Sequence, residues 1–112
     1  MCGIFSVVSK SGKELNHSQC KRALSKLNWR GPDLSTHTFW KDRVYLGQSV
    51  LSITGRIKKK NNKHLHSKSG RFFIGFNGEI YNYRKLHHQF LRSTLDSHDQ
   101  ITDSEVLVNL FE

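Results

Sequence analysis

The sequence predicts an α+β fold on three observations. Apolar residues come in short, strand-sized runs, those runs alternate with stripes of helical period, and polar caps stand where the stripes begin. A chain of 112 residues fits one domain. Its longest apolar stretches, such as the one from Arg71 to Phe76, fall well short of the ~20 residues a membrane-spanning helix needs. The N-terminus has neither the charged n-region nor the apolar h-region of a secretion signal. Two cysteines cannot build the disulfide framework of a small secreted scaffold. The expected setting is therefore reducing and cytoplasmic.

Ile4-Phe5-Ser6-Val7-Val8 reads as a buried strand. After the turn Ser9-Lys10-Ser11-Gly12, the residues Cys20, Ala23, Leu24 and Leu27 fall at i, i+3, i+4 and i+7, one face of a helix that Asn16 or Ser18 can cap. Arg30-Gly31-Pro32-Asp33 breaks that helix. Strands follow over Thr36–Trp40, Val44–Gln48 and Arg71–Phe76. Tyr83, Leu86, Phe90 and Leu91 share the face of a second helix with Asn82 as its cap. Thr102-Asp103-Ser104-Glu105 has the form of a capping box, and Val106, Leu107, Leu110 and Phe111 supply the apolar stripe behind it.

Charge is unevenly spread. The formal net charge is +9, and Arg56, Lys58, Lys59, Lys60, Lys63, Lys68 and Arg71 lie in one acid-free stretch. Such a run attracts phosphates. It holds no aromatic residue for base stacking before Phe72, so a solvated loop between two strands is the preferred reading and a nucleic-acid partner is not expected. His64, His66, His87 and His88 lack a third ligand at zinc-like spacing, and read as surface histidines rather than a metal site.

Two places offer chemistry. Cys2 becomes the first residue if Met1 is removed. Its α-amino group, with a pKa of roughly 7.7–8.0, could then take the thiol proton directly or through a water. The alternative is a small buried hydrophobe at the start of a strand. Asn77-Gly78 is a strong hairpin signal. Equally, an Asn side-chain amide beside a bare glycine N–H can form an oxyanion hole. Cys20 sits on the apolar helix face and reads as core.

Met1-Cys2-Gly3-Ile4-Phe5, Arg30-Gly31-Pro32-Asp33, Leu51-Ser52-Ile53, Asn77-Gly78-Glu79-Ile80-Tyr81-Asn82-Tyr83 and Thr102-Asp103-Ser104-Glu105-Val106-Leu107 follow one another in this order. Together they resemble the class II glutamine amidotransferase domain of glutamine-hydrolysing asparagine synthetases, which are N-terminal-nucleophile hydrolases. The resemblance runs from end to end of the chain. It implies a four-layer αββα sandwich, incomplete here, with residues 1–112 as the N-terminal part of such a domain. Cys2 would be the nucleophile on the glutamine side-chain amide, with Asn77 and Gly78 as the oxyanion donors. Gly78 and Glu79 would line the glutamine pocket, and Asp103 would hold the substrate α-ammonium. Val50, Leu51, Ser52, Ile53 and Thr54 would form the opposite wall. Arg30 and Asp33 would have a structural part, ordering the loop near the nucleophile. Glutamine is the implied substrate, and the ammonia would serve asparagine synthesis.

The sequence departs from the family at two places. Where the family's pattern has an arginine for the substrate α-carboxylate, this chain has Val50, and a histidine usual two positions earlier is Gln48. A charge-assisted hydrogen bond is worth roughly 1.5–3 kcal/mol, so the alternative is a catalytically degenerate relative or a binding module. The second departure is length. The family's glutaminase domain is longer and an ATP-using synthetase domain follows it, so a truncated or partial form is expected. These residues contain no Gly-x-x-x-x-Gly-Lys phosphate loop. No cofactor is expected in this chain. ATP and magnesium would belong to a synthetase domain or a separate synthetase chain, the implied partner.

Overall fold

The computed structural model describes residues 2–51, 65–93, 95 and 101–112. The chain divides into two compact units, Met1–Ile53 with Gly75–Asn77, and Thr54–Ile74 with Gly78–Glu112. Each is an α+β piece or a helical piece built on local signals.

In the first unit, β1 (Gly3–Val8), α1 (His17–Ser25), β2 (Leu34–Trp40) and β3 (Val44–Val50) form an antiparallel sheet of order β1-β3-β2 with one helix. Both later strands run two residues further toward the Arg-Gly-Pro-Asp motif than alternation alone predicts. α1 packs on the face that carries Phe5, Val7, Phe39 and Tyr45. Its buried Cys20 and Leu24 meet Tyr45 there, with Leu15 and Leu27 against the same cluster. A buried leucine contributes about 1.5–3 kcal/mol. Burial pushes the Tyr45 hydroxyl up to about 12, with Cys20 adding to the shift, so it stays neutral. The opposite face leaves Ile4, Val8 and Trp40 exposed.

Of the two candidate caps for α1, Asn16 is the one used: its Oδ1 accepts the Gln19 N–H at 2.9 Å. Asn16→Ala is expected to cost about 1 kcal/mol, read as a lower urea midpoint at unchanged slope. Asn16→Asp, which keeps the acceptor, should stay close to the parent.

The β2–β3 hairpin turns at Lys41 and Asp42, both left-handed at φ 48° and 53°. The Arg43 N–H closes the turn on the Trp40 carbonyl at 3.1 Å. Asp42 is further held by His17, whose Nε2 lies 2.8 Å from its carboxylate. The turn falls in the gap between the two predicted strands, although lysine is a poor residue for this backbone. Gly78, in the Asn77-Gly78 pair that carries the hairpin signal, is not among the positive-φ glycines of the described residues, Gly12 and Gly70. No hairpin forms there.

The remaining segments depart from expectation in several places. Arg71–Phe76 is not a strand. Residues 65–74 double back on themselves instead, through Ser67 N–H to the Phe72 carbonyl at 2.9 Å and Ile74 N–H to the Leu65 carbonyl at 2.8 Å, with Gly70 at φ 72° in the bend. Leu65 and Ser67 are buried, while residues 68–71, with the charged Lys68 and Arg71, are exposed as a solvated loop would be. Its earlier part, residues 56–64, lies outside the described residues.

α2 (Tyr83–Leu86) continues as a π-helical turn over His87–Leu91, and Asn82 makes no side-chain cap bond. The wider turn rotates the apolar face. His87 is buried with its Nε2 at 3.1 Å from the Leu95 carbonyl, whereas Phe90 is exposed. His87 is thus not the surface histidine its polarity suggested.

α3 (Asp103–Phe111) starts where the capping signal predicts, with Thr102 Oγ1 accepting the Glu105 N–H at 3.2 Å. Its buried residues are Val106, Val108 and Asn109, while Leu110 and Phe111 are exposed. Asn109 is drawn inward because Oδ1 accepts the Lys68 N–H at 2.7 Å and Nδ2 donates to the Glu105 carbonyl at 2.8 Å. Among the described residues, no helix is long and apolar enough to cross a membrane.

Candidate functional site

Cys2 stands one residue before the first ladder pair, Gly3 with Ser49. It is half-buried, and its thiol donates to the Leu51 carbonyl at 3.9 Å. Strand alternation puts it on the same sheet face as Ile4, the face away from α1. Cys20, by contrast, is core, 6% exposed.

The carbonyl that meets the thiol follows directly on β3, and the Arg-Gly-Pro-Asp motif fixes the end of that strand. A β-carbon on Gly31 would lie 2.3 Å from the Ser49 carbonyl carbon and 2.4 Å from the Val50 nitrogen. Pro32 bridges to Val50, and the Asp33 N–H donates to the Val50 carbonyl at 3.1 Å. Ser49 Oγ donates to Asn28 Oδ1 at 3.3 Å, tying β3 to the turns after α1. The motif thus lays its backbone directly against the last residues of β3. Sequence reading marked the motif but not this contact, which only the missing β-carbon makes possible.

Val50, 8% exposed, closes β3 opposite Leu34. Leu51 is half-buried. Ser52, Ile53 and Thr54, the remaining residues of the expected wall, lie outside the described residues.

Asn77 is exposed and follows a peptide held from the sheet. Gln48 of β3 is 4% exposed. Its Oε1 accepts the Phe76 N–H at 3.1 Å, and its Nε2 donates to the Phe76 carbonyl. The segment also lies close to β1 and β3: a β-carbon on Gly75 would be 3.1 Å from Leu46 and 3.2 Å from Ile4. Gln48 was not among the expected site residues, although a signal existed. Val44, Leu46, Gln48 and Val50 share one strand face, and an amide in such a row needs partners.

In the second unit, Gly78 and Glu79 are exposed. The Asp103 carboxylate is half-buried at the start of α3. Its Oδ2 accepts the Ile80 N–H at 3.1 Å, and its Oδ1 accepts the Ser104 N–H at 2.8 Å. A carboxylate in the first helical turn is favoured by the helix dipole. The structure therefore joins Asp103 to the backbone immediately after Glu79. In the first unit it gathers Cys2, Val50 and Leu51 at one sheet end, with Phe76-Asn77 held by Gln48.

The glutamine amidotransferase domain family matches residues 1–112. Among curated proteins, the chain is 31% identical over 114 residues to a probable glutamine-hydrolyzing asparagine synthetase of Acanthamoeba polyphaga mimivirus, covering 99% of this chain and 20% of that protein. It is 34% identical over 119 residues to glutamine-hydrolyzing asparagine synthetases 2 and 3 of Arabidopsis thaliana, covering all of this chain and 18% of each. The chain thus spans about a fifth of the length of these relatives. No solved structure matches it significantly.

Proposed function

The chain belongs to the glutamine amidotransferase domain family, and from that premise we propose that it hydrolyses glutamine through Cys2, as the glutaminase part of an asparagine synthetase-like enzyme. The observation that carries this reading is the placement of Cys2, half-buried at the start of β1 with its thiol on the Leu51 carbonyl. The geometry leaves the sulfur beside a strand end that Gly31–Asp33 hold rigid, which suits a nucleophile better than a packing residue.

The chemistry follows from the groups at hand. With Met1 removed, the α-amino group of Cys2 takes the thiol proton, and the sulfur attacks the side-chain amide carbon of glutamine. Negative charge develops on the amide oxygen, where the Asn77 side-chain amide and the Gly78 N–H donate; one such donor is worth about 2.7–4 kcal/mol in a comparable hydrolase. The α-ammonium returns its proton to the departing nitrogen, releasing ammonia and leaving a thioester. Water then attacks the thioester, again with the α-amino group as base, and glutamate leaves. Glu79 and Asp103 bind the substrate's amino-acid end, Asp103 through its α-ammonium. The ammonia goes to asparagine synthesis by a synthetase domain or chain, where ATP and magnesium would act.

The αββα sandwich of the N-terminal-nucleophile hydrolases belongs to the same proposal. Ile4, Val8 and Trp40, exposed on the sheet face away from α1, support it, since a second sheet would cover them.

Val50 favours a second reading, an inactive relative or a binding module. An apolar, buried side chain stands where the family pattern has a cation for the α-carboxylate. Incubation of the chain with glutamine separates the two. The glutaminase reading predicts glutamate and ammonia in equal amounts, and the second predicts neither. Val50→Arg is expected to tighten glutamine binding about ten- to a hundredfold, the worth of a charge-assisted pair, by calorimetric titration. Unchanged affinity would mean that another group already holds the carboxylate.

A further inference from the structure

We propose that Gln48 is the positioning residue for the oxyanion segment, its buried amide gripping Phe76 on both sides and so fixing the direction of Asn77. The inference rests on the glutaminase reading and adds to it a residue that does not touch substrate.

The grip has two points. Gln48 Oε1 takes the Phe76 N–H at 3.1 Å, and Nε2 gives a proton to the Phe76 carbonyl. One bond would leave the segment free to rotate about it, whereas two bonds to the same residue fix both flanking peptide planes. The peptide from Phe76 to Asn77 is planar, so orienting the Phe76 carbonyl also places the Asn77 nitrogen and α-carbon. Gln48 is itself held in the sheet. It lies in β3, pairs in register with Ile4 of β1 and Thr36 of β2, and is 4% exposed. A central strand thus sets the coordinates of a residue that belongs to no strand. Two bonds from one side chain hold Phe76, which lies beyond the backbone pairing of Phe72 and Ile74 with the 65–67 stretch.

A donor that stabilises charge only in the transition state contributes to kcat rather than to substrate binding. Losing its position therefore has a recognisable signature. Gln48→Leu should lower kcat about tenfold or more and leave KM within about twofold. Gln48→Glu supplies the second variant. As a carboxylate it accepts the N–H but repels the carbonyl; once protonated, its O–H donates and its C=O accepts, as the amide does. Its kcat relative to the parent should rise as pH falls, while Gln48→Leu shows no such recovery. With kcat taken per folded molecule, a packing role, which changes only the fraction folded, would not produce that pH profile.

The test measures kcat and KM of the full chain and both variants across pH, together with amide hydrogen exchange at Phe76. Slow exchange in the parent and fast exchange in Gln48→Leu is the expected result. Parent-like kcat in Gln48→Leu, or a Gln48→Glu profile parallel to the parent, overturns the proposal. If the parent releases no glutamate, the glutaminase reading falls. The exchange arm then judges the grip alone, and fast exchange at Phe76 in the parent would refute it.

Discussion

Cys2→Ala is expected to abolish glutamine hydrolysis, lowering glutamate release by about a thousandfold or more, because no other group supplies the sulfur–carbon bond of the intermediate. The chain should stay folded. Cys2 precedes β1 and is half-buried, and its thiol bond to the Leu51 carbonyl, at 3.9 Å, is a weak one. Cys20→Ala provides the contrast. Cys20 is 6% exposed on the buried face of α1, so loss of its thiol should lower stability and leave turnover per folded molecule unchanged. Turnover by Cys2→Ala within tenfold of the parent would remove Cys2 from the mechanism.

The largest effect on stability is expected at Gly31. Its β-carbon would sit 2.3 Å from the Ser49 carbonyl carbon and 2.4 Å from both the Ser49 oxygen and the Val50 nitrogen. These are backbone atoms of β3 and cannot rotate aside, unlike the Leu24 methyls that a β-carbon on Gly47 would meet. Relief requires moving residues 30–33 off the strand, which breaks the Asp33 bond to Val50 and the Pro32 bridge. Gly31→Ala should cost about 3 kcal/mol, the upper end for overpacking, and lower the melting temperature by about 10–15 °C. A melt matching the parent would mean that the motif does not rest on β3. Glutamate release should fall along with stability, since the same strand end carries the Leu51 carbonyl beside Cys2.

The elements legible in the sequence are those specified by neighbours in the chain. Alternation marked β1, β2 and β3, and Asn16 and Thr102 cap α1 and α3 through bonds to residues three positions on. Elements that depend on distant partners were not legible. Residues 71–76 have strand composition, yet Gln48 holds Phe76 and the Leu65–Ser67 stretch takes Phe72 and Ile74. The turn at Lys41 and Asp42 breaks the preference for glycine or asparagine. His87 and Asn109 are polar, but each is buried with its side chain hydrogen-bonded to backbone, and the apolar stripes predicted for their helices shift accordingly.

The candidate site divides in the same way. Residue types nominated Cys2, Asn77 and Gly78, because a nucleophile and its donors are recognisable one at a time, whereas Glu79 and Asp103 came only through the resemblance to the glutamine amidotransferase domain. Gln48 and the contact of Gly31 with β3 were missed, since both act through the backbone of other segments. The resemblance gives Asp103 the substrate ammonium; what the structure shows is its carboxylate holding the Ile80 N–H at 3.1 Å, a bond that spacing could not show.

The central claim is that Cys2, bearing a free α-amino group, is a nucleophile aimed at glutamine. It is tested most directly by intact-mass and peptide mass spectrometry after treatment with a glutamine analogue whose side-chain amide is replaced by a diazoketone. The expected result is a chain lacking Met1 that carries one adduct, located on Cys2 and suppressed by excess glutamine. An unmodified Cys2, an adduct insensitive to glutamine, or glutamine hydrolysis by a chain that retains Met1 would contradict it.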